Sequence, residues 1–229
     1  MSAGNKVEVE TLKLPFSNRQ QAGKELAARL SHHRGSDSLI LAIPRGGVVV
    51  AAAVASELDI PLDVIVARKL GAPGHPEFAI GAVACWGDHD IILDDNTVRN
   101  LHISQEYIKS ESDAQLAEVG RRIKAYRGTA EPPDAAGKHI ILIDDGIATG
   151  HTIMAAAMAL RSLDASSVTL AAPVAPAESL RAIKRYVDEL ICLETPDPFI
   201  AVGRWYVDFE QTSDEEVISI LNKFRSNQR

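Results

Sequence analysis

The chain has 229 residues, with 24 Lys and Arg against 31 Asp and Glu, so its formal charge at pH 7 is −7. An acidic balance without a basic block argues against non-specific nucleic-acid binding. The 46% hydrophobic and 24% charged residues are those of an ordinary globular chain, long enough to bury a core without disulfide or metal staples.

The segment Met1–Gln20 is polar and lacks the apolar stretch of a signal peptide. The longest apolar run, Gly46–Ala55, is far short of the ~20 residues that span a bilayer, so a cytoplasmic protein with no membrane partner is expected. Cys85 and Cys192 stand far apart in apolar stretches and are expected as reduced, buried thiols.

A first helix is expected after Ser17, which has capping-box spacing to Gln20. Ala22, Leu26 and Leu30 follow on one face, and Gly35 ends the segment. Leu39–Ile43 is an apolar run without polar alternation, as in a strand buried on both faces, and Pro44-Arg45-Gly46-Gly47 breaks it. Val48–Leu58 reads as a helix, Asp63–Ala67 as a strand, and Gly71–Pro76 as a loop. Ala79–Cys85 and Asp90–Leu93 read as a hairpin around Gly87-Asp88. Asn96–Arg127 is expected to be mostly helical, with Leu116, Val119 and Ile123 on one face. After a Pro-containing connector come strand His139–Ile143, helix Thr152–Leu163, strand Ser167–Ala172, helix Ala177–Tyr186 and strand Glu189–Leu193. Ser213-Asp214-Glu215-Glu216 caps a closing helix that carries Val217, Ile220, Leu221 and Phe224.

This alternation implies one α/β domain over 1–229, with a doubly wound, mainly parallel sheet flanked by helices. In such sheets ligands bind beyond the carboxyl ends of the strands. The loops after Ile43, Ala67, Ile143 and Leu193 are therefore expected to converge.

The most informative string is Ile140-Ile141-Leu142-Ile143-Asp144-Asp145-Gly146-Ile147-Ala148-Thr149-Gly150-His151-Thr152. A buried strand ends in two acids, and a short loop then opens a helix. Free N–H groups and the positive dipole end at a helix N-terminus favour a phosphate. Gly150 permits close backbone approach, and the Thr149 and Thr152 hydroxyls can donate to phosphate oxygens. Asp144 and Asp145 can hold ribose hydroxyls or a metal ion. The loop is not a Walker A motif, because Gly146 and Gly150 are too close and His151 stands where Lys is needed. The glycine spacing also excludes a dinucleotide fingerprint.

Residues 140–152 closely resemble the phosphoribosyl-pyrophosphate (PRPP) motif of type I phosphoribosyltransferases. Leu41–Gly47 resembles that family's pyrophosphate loop, and Asp63–Lys69 its second strand with a basic end. As a whole the chain resembles stand-alone bacterial phosphoribosyltransferase-domain proteins. The resemblance implies a core over about 38–194, with a small hood from about 1–35 and 195–229 and a β-hairpin insertion. It implies that Asp144 and Asp145 hold the ribose hydroxyls, directly or through Mg²⁺. Ala148, Thr149, Gly150, His151 and Thr152 would hold the 5-phosphate. Arg45, Gly46 and Gly47 would hold pyrophosphate, in a loop that often contains a non-proline cis peptide. Arg68 and Lys69 would stabilise the leaving pyrophosphate, and Gly71–Phe78, with His75 and Glu77, falls at the mobile catalytic loop.

The implied activity is Mg²⁺-dependent transfer of a phosphoribosyl group from PRPP to a nucleobase or related heterocycle, of the kind used in nucleotide salvage, by a homodimer. The alternative is a non-catalytic PRPP or nucleotide sensor on the same fold. Ala148 stands where 6-oxopurine enzymes of the family carry an acid. In the tail Phe199–Phe209, Trp205 and Tyr206 are the candidate base-stacking residues and Asp208 a candidate second metal ligand. The Gly203-to-Asp208 spacing is one residue longer than the family pattern. His32-His33 at a helix end is expected to be exposed and inert, and no His/Cys spacing suggests structural zinc.

Overall fold

Strands that are apolar on both faces must be covered on both faces, and the fold follows from that. The computed structural model describes residues 14–84 and 91–227. Five strands pair in parallel: β1 (Ser38–Ala42), β2 (Leu62–Val64), β6 (His139–Ile143), β7 (Ser167–Val174) and β8 (Glu189–Glu194). Their spatial order is β2-β1-β6-β7-β8. The chain therefore winds outward from β1 in one direction and from β6 in the other. The β1–β6 register runs from Ser38 opposite His139 to Ala42 opposite Ile143, so the two strands end level and their loops leave side by side.

Alternate residues feed two cores. Ile40, Ala42, Ile141 and Ile143 face a core shared with α1 (Arg19–Arg29), α2 (Gly46–Leu58), α4 (Gln105–Arg127) and α7 (Asp214–Asn227). Leu39, Leu41, Ile140 and Leu142 face a second core with α5 (His151–Ser162) and α6 (Ala177–Ile183). Ala-rich α5 buries Ala155, Ala156, Ala157 and Ala159, and such small side chains let a helix lie close to the sheet.

A separate antiparallel sheet holds β3 (Ala67–Ala72), β4 (His75–Ala84) and β5 (Ile91–Leu93), in the order β3-β4-β5. The β4–β5 pairing bears out the expected hairpin; its turn, with Cys85, lies outside the described residues. Two expectations change here. The strand read as Asp63–Ala67 divides, because β2 ends at Val64 and Ala67 already pairs with Ala84 in the small sheet. The loop read at Gly71–Pro76 is a hairpin turn, with Gly74 at φ +73. Pro73-Gly74 is a strong turn signal, and it confines the break to two residues.

The long helix read from Asn96 also divides. Asp94 caps α3 (Asp95–Asn100), and Ser104 caps α4 through Tyr107 N. Between them His102 adopts φ +50. Two good N-caps in close succession override a continuous helical pattern. At the N-terminus the cap is Asn18 rather than Ser17: Asn18 Oδ1 accepts from Gln21 N, and the Gln21 side chain accepts from Ser17 N. Ser213 caps α7 as expected, accepting from Glu216 N.

The terminal segments meet at the carboxyl edge of the large sheet. Phe16 bridges to Tyr206, Phe16 N donates to Trp205 O, and Val207 N donates to Phe16 O.

Candidate phosphate-binding cleft

The winding direction reverses between β1 and β6, and open α/β sheets bind ligands at such a switch point. The loops after β1 and β6 are the two strings singled out in the sequence. A Cβ built on Gly46 would lie 1.8 Å from Asp145 Oδ2, and one on Gly47 3.0 Å from Asp144 Cα. Only glycine allows these loops to touch. The Pro44–Arg45 peptide is cis, which identifies the non-proline cis bond implied for this loop.

Asp144 lies half-buried, and its Oδ1 accepts from Asp145 N at 2.8 Å. Burial, and then the adjacent Asp145 charge, push its carboxyl well above the usual carboxylate range. Asp145 Oδ2 receives Arg19 Nε at 2.7 Å, and both side chains are largely buried. Arg19 also lies 3.8 Å over the Phe209 ring and donates to Glu210 O. Tyr206 Oη donates to the Asp145 carbonyl. Two carboxylates with hard oxygen donors suit a divalent cation such as Mg²⁺, and a cation between them would relieve the cost of burying Asp144 charged.

The loop continues to α5 with Ala148 and Thr149 exposed and Gly150 at φ +83. A Cβ on Gly150 would lie 2.6 Å from Ile183 Cδ1, so glycine is needed here on both counts. No side chain among the described residues caps α5, which leaves its first-turn N–H groups available to an anion. Ser179 Oγ donates to Ala148 O and holds the loop from below. Thr149 Oγ1 lies 3.0 Å from His151 Nδ1. Burial holds the His151 pKa below the ordinary histidine range, partly countered by Asp94. Ala148, Thr149 and His151 line a cleft of about 1120 Å³, closed on its other sides by Asp94, Arg185 and Phe199.

The remaining candidates are placed as follows. Arg45 Nη1 lies 3.6 Å from Asp214 Oδ1, at the N-terminus of α7. Arg68 and Lys69 do not form a basic strand end, because both sit inside β3. Arg68 turns to α4, where it donates to Gln115 Oε1 at 2.5 Å and pairs with Glu118 at 3.7 Å. Tyr206 is buried among Phe16 and Phe209 with its hydroxyl committed to Asp145, so it supports the acid loop instead of offering a free stacking face. Trp205 packs behind Phe199 with ring centroids 6.4 Å apart. Asp208 is exposed, accepts from Glu210 N, and lines a separate pocket with Asn18 and Arg19. The Glu77 side chain lies outside the described part of the structure, and His75 is exposed at the hairpin turn. Cys192 is a free thiol, half-buried where full burial was expected, and burial pushes its pKa up to about 12.

Sequence reasoning missed Arg19 and Phe199. Arg19 carries no motif and reaches Asp145 across 126 positions. Phe199 was legible as the first aromatic of the tail, but aromatic type alone does not say which ring faces the cleft.

Known proteins share this sequence and fold. Residues 16–210 match the phosphoribosyl transferase domain family. Two curated Mycobacterium tuberculosis proteins, from strains CDC 1551 / Oshkosh and ATCC 25618 / H37Rv, are each 41% identical over 208 residues. They bear the names "Putative phosphoribosyl transferase MT0597" and "Putative phosphoribosyl transferase Rv0571c". The match covers 91% of this chain but 46% of each relative, so the chain spans about half the length of the curated relatives it matches. The crystal structure of TT1426 from Thermus thermophilus superposes with a TM-score of 0.77 at 36% identity, covering 92% of this chain and 99% of that one. Matched by the domain model over most of its length and 36% identical to a structure it covers almost completely, the chain belongs to the phosphoribosyl transferase domain family.

Proposed function

We propose that this protein is a Mg²⁺-dependent phosphoribosyltransferase. It takes PRPP, transfers the phosphoribosyl group to a ring nitrogen of a nucleobase-like heterocycle, and releases pyrophosphate. The observation that carries the reading is the meeting of the Arg45–Gly47 loop with Asp144-Asp145 beside the uncapped α5 terminus. One end binds a phosphate through backbone N–H groups, the middle offers carboxylates to a ribose, and the other end offers backbone and Arg45 to a pyrophosphate.

In this reading Ala148–Thr152 anchor the 5-phosphate and fix the sugar. Asp144 and Asp145 accept from the 2- and 3-hydroxyls or hold the cation. Bound Mg²⁺ would supply positive charge to the departing pyrophosphate. Arg19 and Tyr206 orient Asp145 from behind, and Phe199 presents an aromatic face to the acceptor. Charge leaves C1 of the ribose for pyrophosphate in an oxocarbenium-like transition state, so donors at the leaving group matter most. Arg68, held by Gln115 and Glu118, reaches that leaving group only if those contacts break, whereas Arg45 has one long contact to release, with Asp214 at 3.6 Å, and stands at the loop that touches the two acids.

The test is pyrophosphate release from PRPP with a panel of purines, pyrimidines and related heterocycles. A second reading, a non-catalytic PRPP sensor, draws on the Arg19–Asp145 pair, because a protein cation already neutralises one of the two acids. Saturable PRPP binding without pyrophosphate release across the panel would select the sensor. Absence of PRPP binding would overturn both readings.

A further inference from the structure

The opposite, amino edge of the sheet carries a polar cluster that the cleft does not use. His32 and His33 end a 3-10 turn (Ser31–His33) that follows α1, and Glu189 is the first residue of β8. His33 Nε2 lies 3.2 Å from Glu189 Oε2, and His32 Nε2 lies 3.3 Å from Glu189 Oε1. One ligand atom from each of the three residues fits within 4.8 Å of the others. Bonds of ~2.0–2.2 Å to a tetrahedral zinc put neighbouring ligand atoms about 3.3–3.5 Å apart. The two histidines approach different oxygens of one carboxylate, each at close to the length of such an edge, so an ion would take the place of the two His–Glu contacts without drawing the three residues far from where they stand.

The carboxylate is also oriented from behind. Thr169 Oγ1 donates to Glu189 Oε2 at 3.0 Å. His139 Nε2 lies 3.1 Å from Thr169 Oγ1, and Ser167 Oγ contacts His139 Nδ1. A consistent assignment has Ser167 donating to His139, His139 to Thr169, and Thr169 to Glu189. Such outer hydrogen bonds fix the ligands of metal sites and raise their basicity. The His33 ring is clamped between His32 and His139, with centroids 4.1 and 4.5 Å away. Contrary to the expectation of an exposed pair, His33 is 7% exposed, while His32 remains open to solvent.

We propose that His32, His33 and Glu189 form a site for a divalent transition metal of the zinc type, bound through both Nε2 atoms and the carboxylate, with water completing the shell. Two imidazoles and one carboxylate favour zinc, copper or nickel over Mg²⁺. The ion would tie the turn after α1 to the edge strand β8, on the side of the sheet away from the cleft.

The test is calorimetric titration of the tag-free, metal-stripped protein with zinc chloride, with thermal melting run in parallel. The wild type is expected to bind one zinc per chain and to melt at a higher temperature with zinc. His32→Ala, at an exposed position, and Glu189→Gln are each expected to weaken that event about a hundredfold or more, since even outer-shell changes cost ~10–100-fold. An Asp144→Asn/Asp145→Asn double variant is expected to retain it, which separates this site from the cleft. In the wild type the imidazole ¹⁵N resonances of both histidines are expected to move on titration. The proposal is overturned if the wild type shows no saturable zinc binding, if both ligand variants bind as tightly as the wild type, or if the double variant alone abolishes the event.

Discussion

Arg19 at the first turn of α1 and Asp145 in the loop after β6 form a largely buried ion pair at 2.7 Å, although 126 positions separate them. The pair aims the second acid at the Gly46 loop, and it is Asp145 rather than Asp144 that takes the direct cation contact. Breaking a buried pair from one side strands a charge, which costs ~3–5 kcal/mol when burial is complete and less here because some solvent reaches both groups. Arg19→Ala is expected to lose about 2–3 kcal/mol, including its contact over Phe209, as a lowered urea midpoint with unchanged slope. Mg²⁺ should restore more of the melting temperature in the variant than in the wild type. An unchanged midpoint would show that the pair contributes nothing to stability.

Asp144 makes an opposite contribution. Its folded pKa is raised, so the folded state binds a proton more readily than the unfolded chain. Its stabilising contribution is present below the unfolded carboxylate pKa and is lost as pH rises through the folded value. At pH 7, without ligand, Asp144→Asn is therefore expected to raise stability by roughly 1–2 kcal/mol and to flatten the decline between acid and neutral pH. PRPP binding should fall at least tenfold in the same variant. Melting curves from pH 4 to about 8, read beside PRPP titrations, check both effects; a variant less stable than the wild type at pH 7 would contradict the charge argument.

The contact between loops makes Gly46 intolerant of a single methyl group. Gly46→Ala would set carbon 1.8 Å from Asp145 Oδ2 and 2.6 Å from Arg19 Nε, so both must move. Overpacking of this kind costs ~1–3 kcal/mol. The functional loss should be larger than the stability loss, because the displaced groups belong to the cleft. Loss of PRPP binding in a variant that still melts cooperatively, at a temperature lowered by roughly 2–4 °C per kcal/mol of that cost, is the expected pattern.

Phe199 lines the cleft, whereas Trp205 stands behind it and Tyr206 is tied to Asp145. Phe199→Ala is expected to raise KM for the acceptor about tenfold or more, since one aromatic stack is worth ~1–3 kcal/mol per base, and to leave PRPP affinity nearly unchanged. Tyr206→Phe should instead lower stability by about 1 kcal/mol, because it removes one hydrogen bond to a half-buried carbonyl. Equal acceptor effects from the two variants would refute the division of roles.

Much of the fold was legible because the buried parallel strands are continuous apolar runs. The His139–Ile143 strand appears with the expected bounds, and the acid-to-Thr string falls at its carboxyl end. What escaped were choices settled by tertiary pairing. Asp63–Ala67 reads as one strand, yet Ala67 finds an antiparallel partner in Ala84 and the chain changes sheets. Arg68 and Lys69 read as a basic strand end because sequence shows their charge and not Gln115, on a helix 47 positions beyond Arg68. His32-His33 read as an inert helix end because its partner Glu189 is 156 positions from His33.

The Phe16–Tyr206 bridge has a consequence for how the protein acquires its function. The two loops that meet at the switch point lie between Leu41 and Thr152, but the groups that brace Asp145 come from Arg19 and Tyr206. A chain emerging from the ribosome would hold the entire phosphate loop before the strap that steadies it exists. Contacts between such distant segments form late, since their loop-closure entropy is offset only when both ends dock. On the proposed function, competence to bind PRPP therefore waits for the segment around Tyr206 to dock, and it should appear last on refolding, after the sheet is already protected from hydrogen exchange.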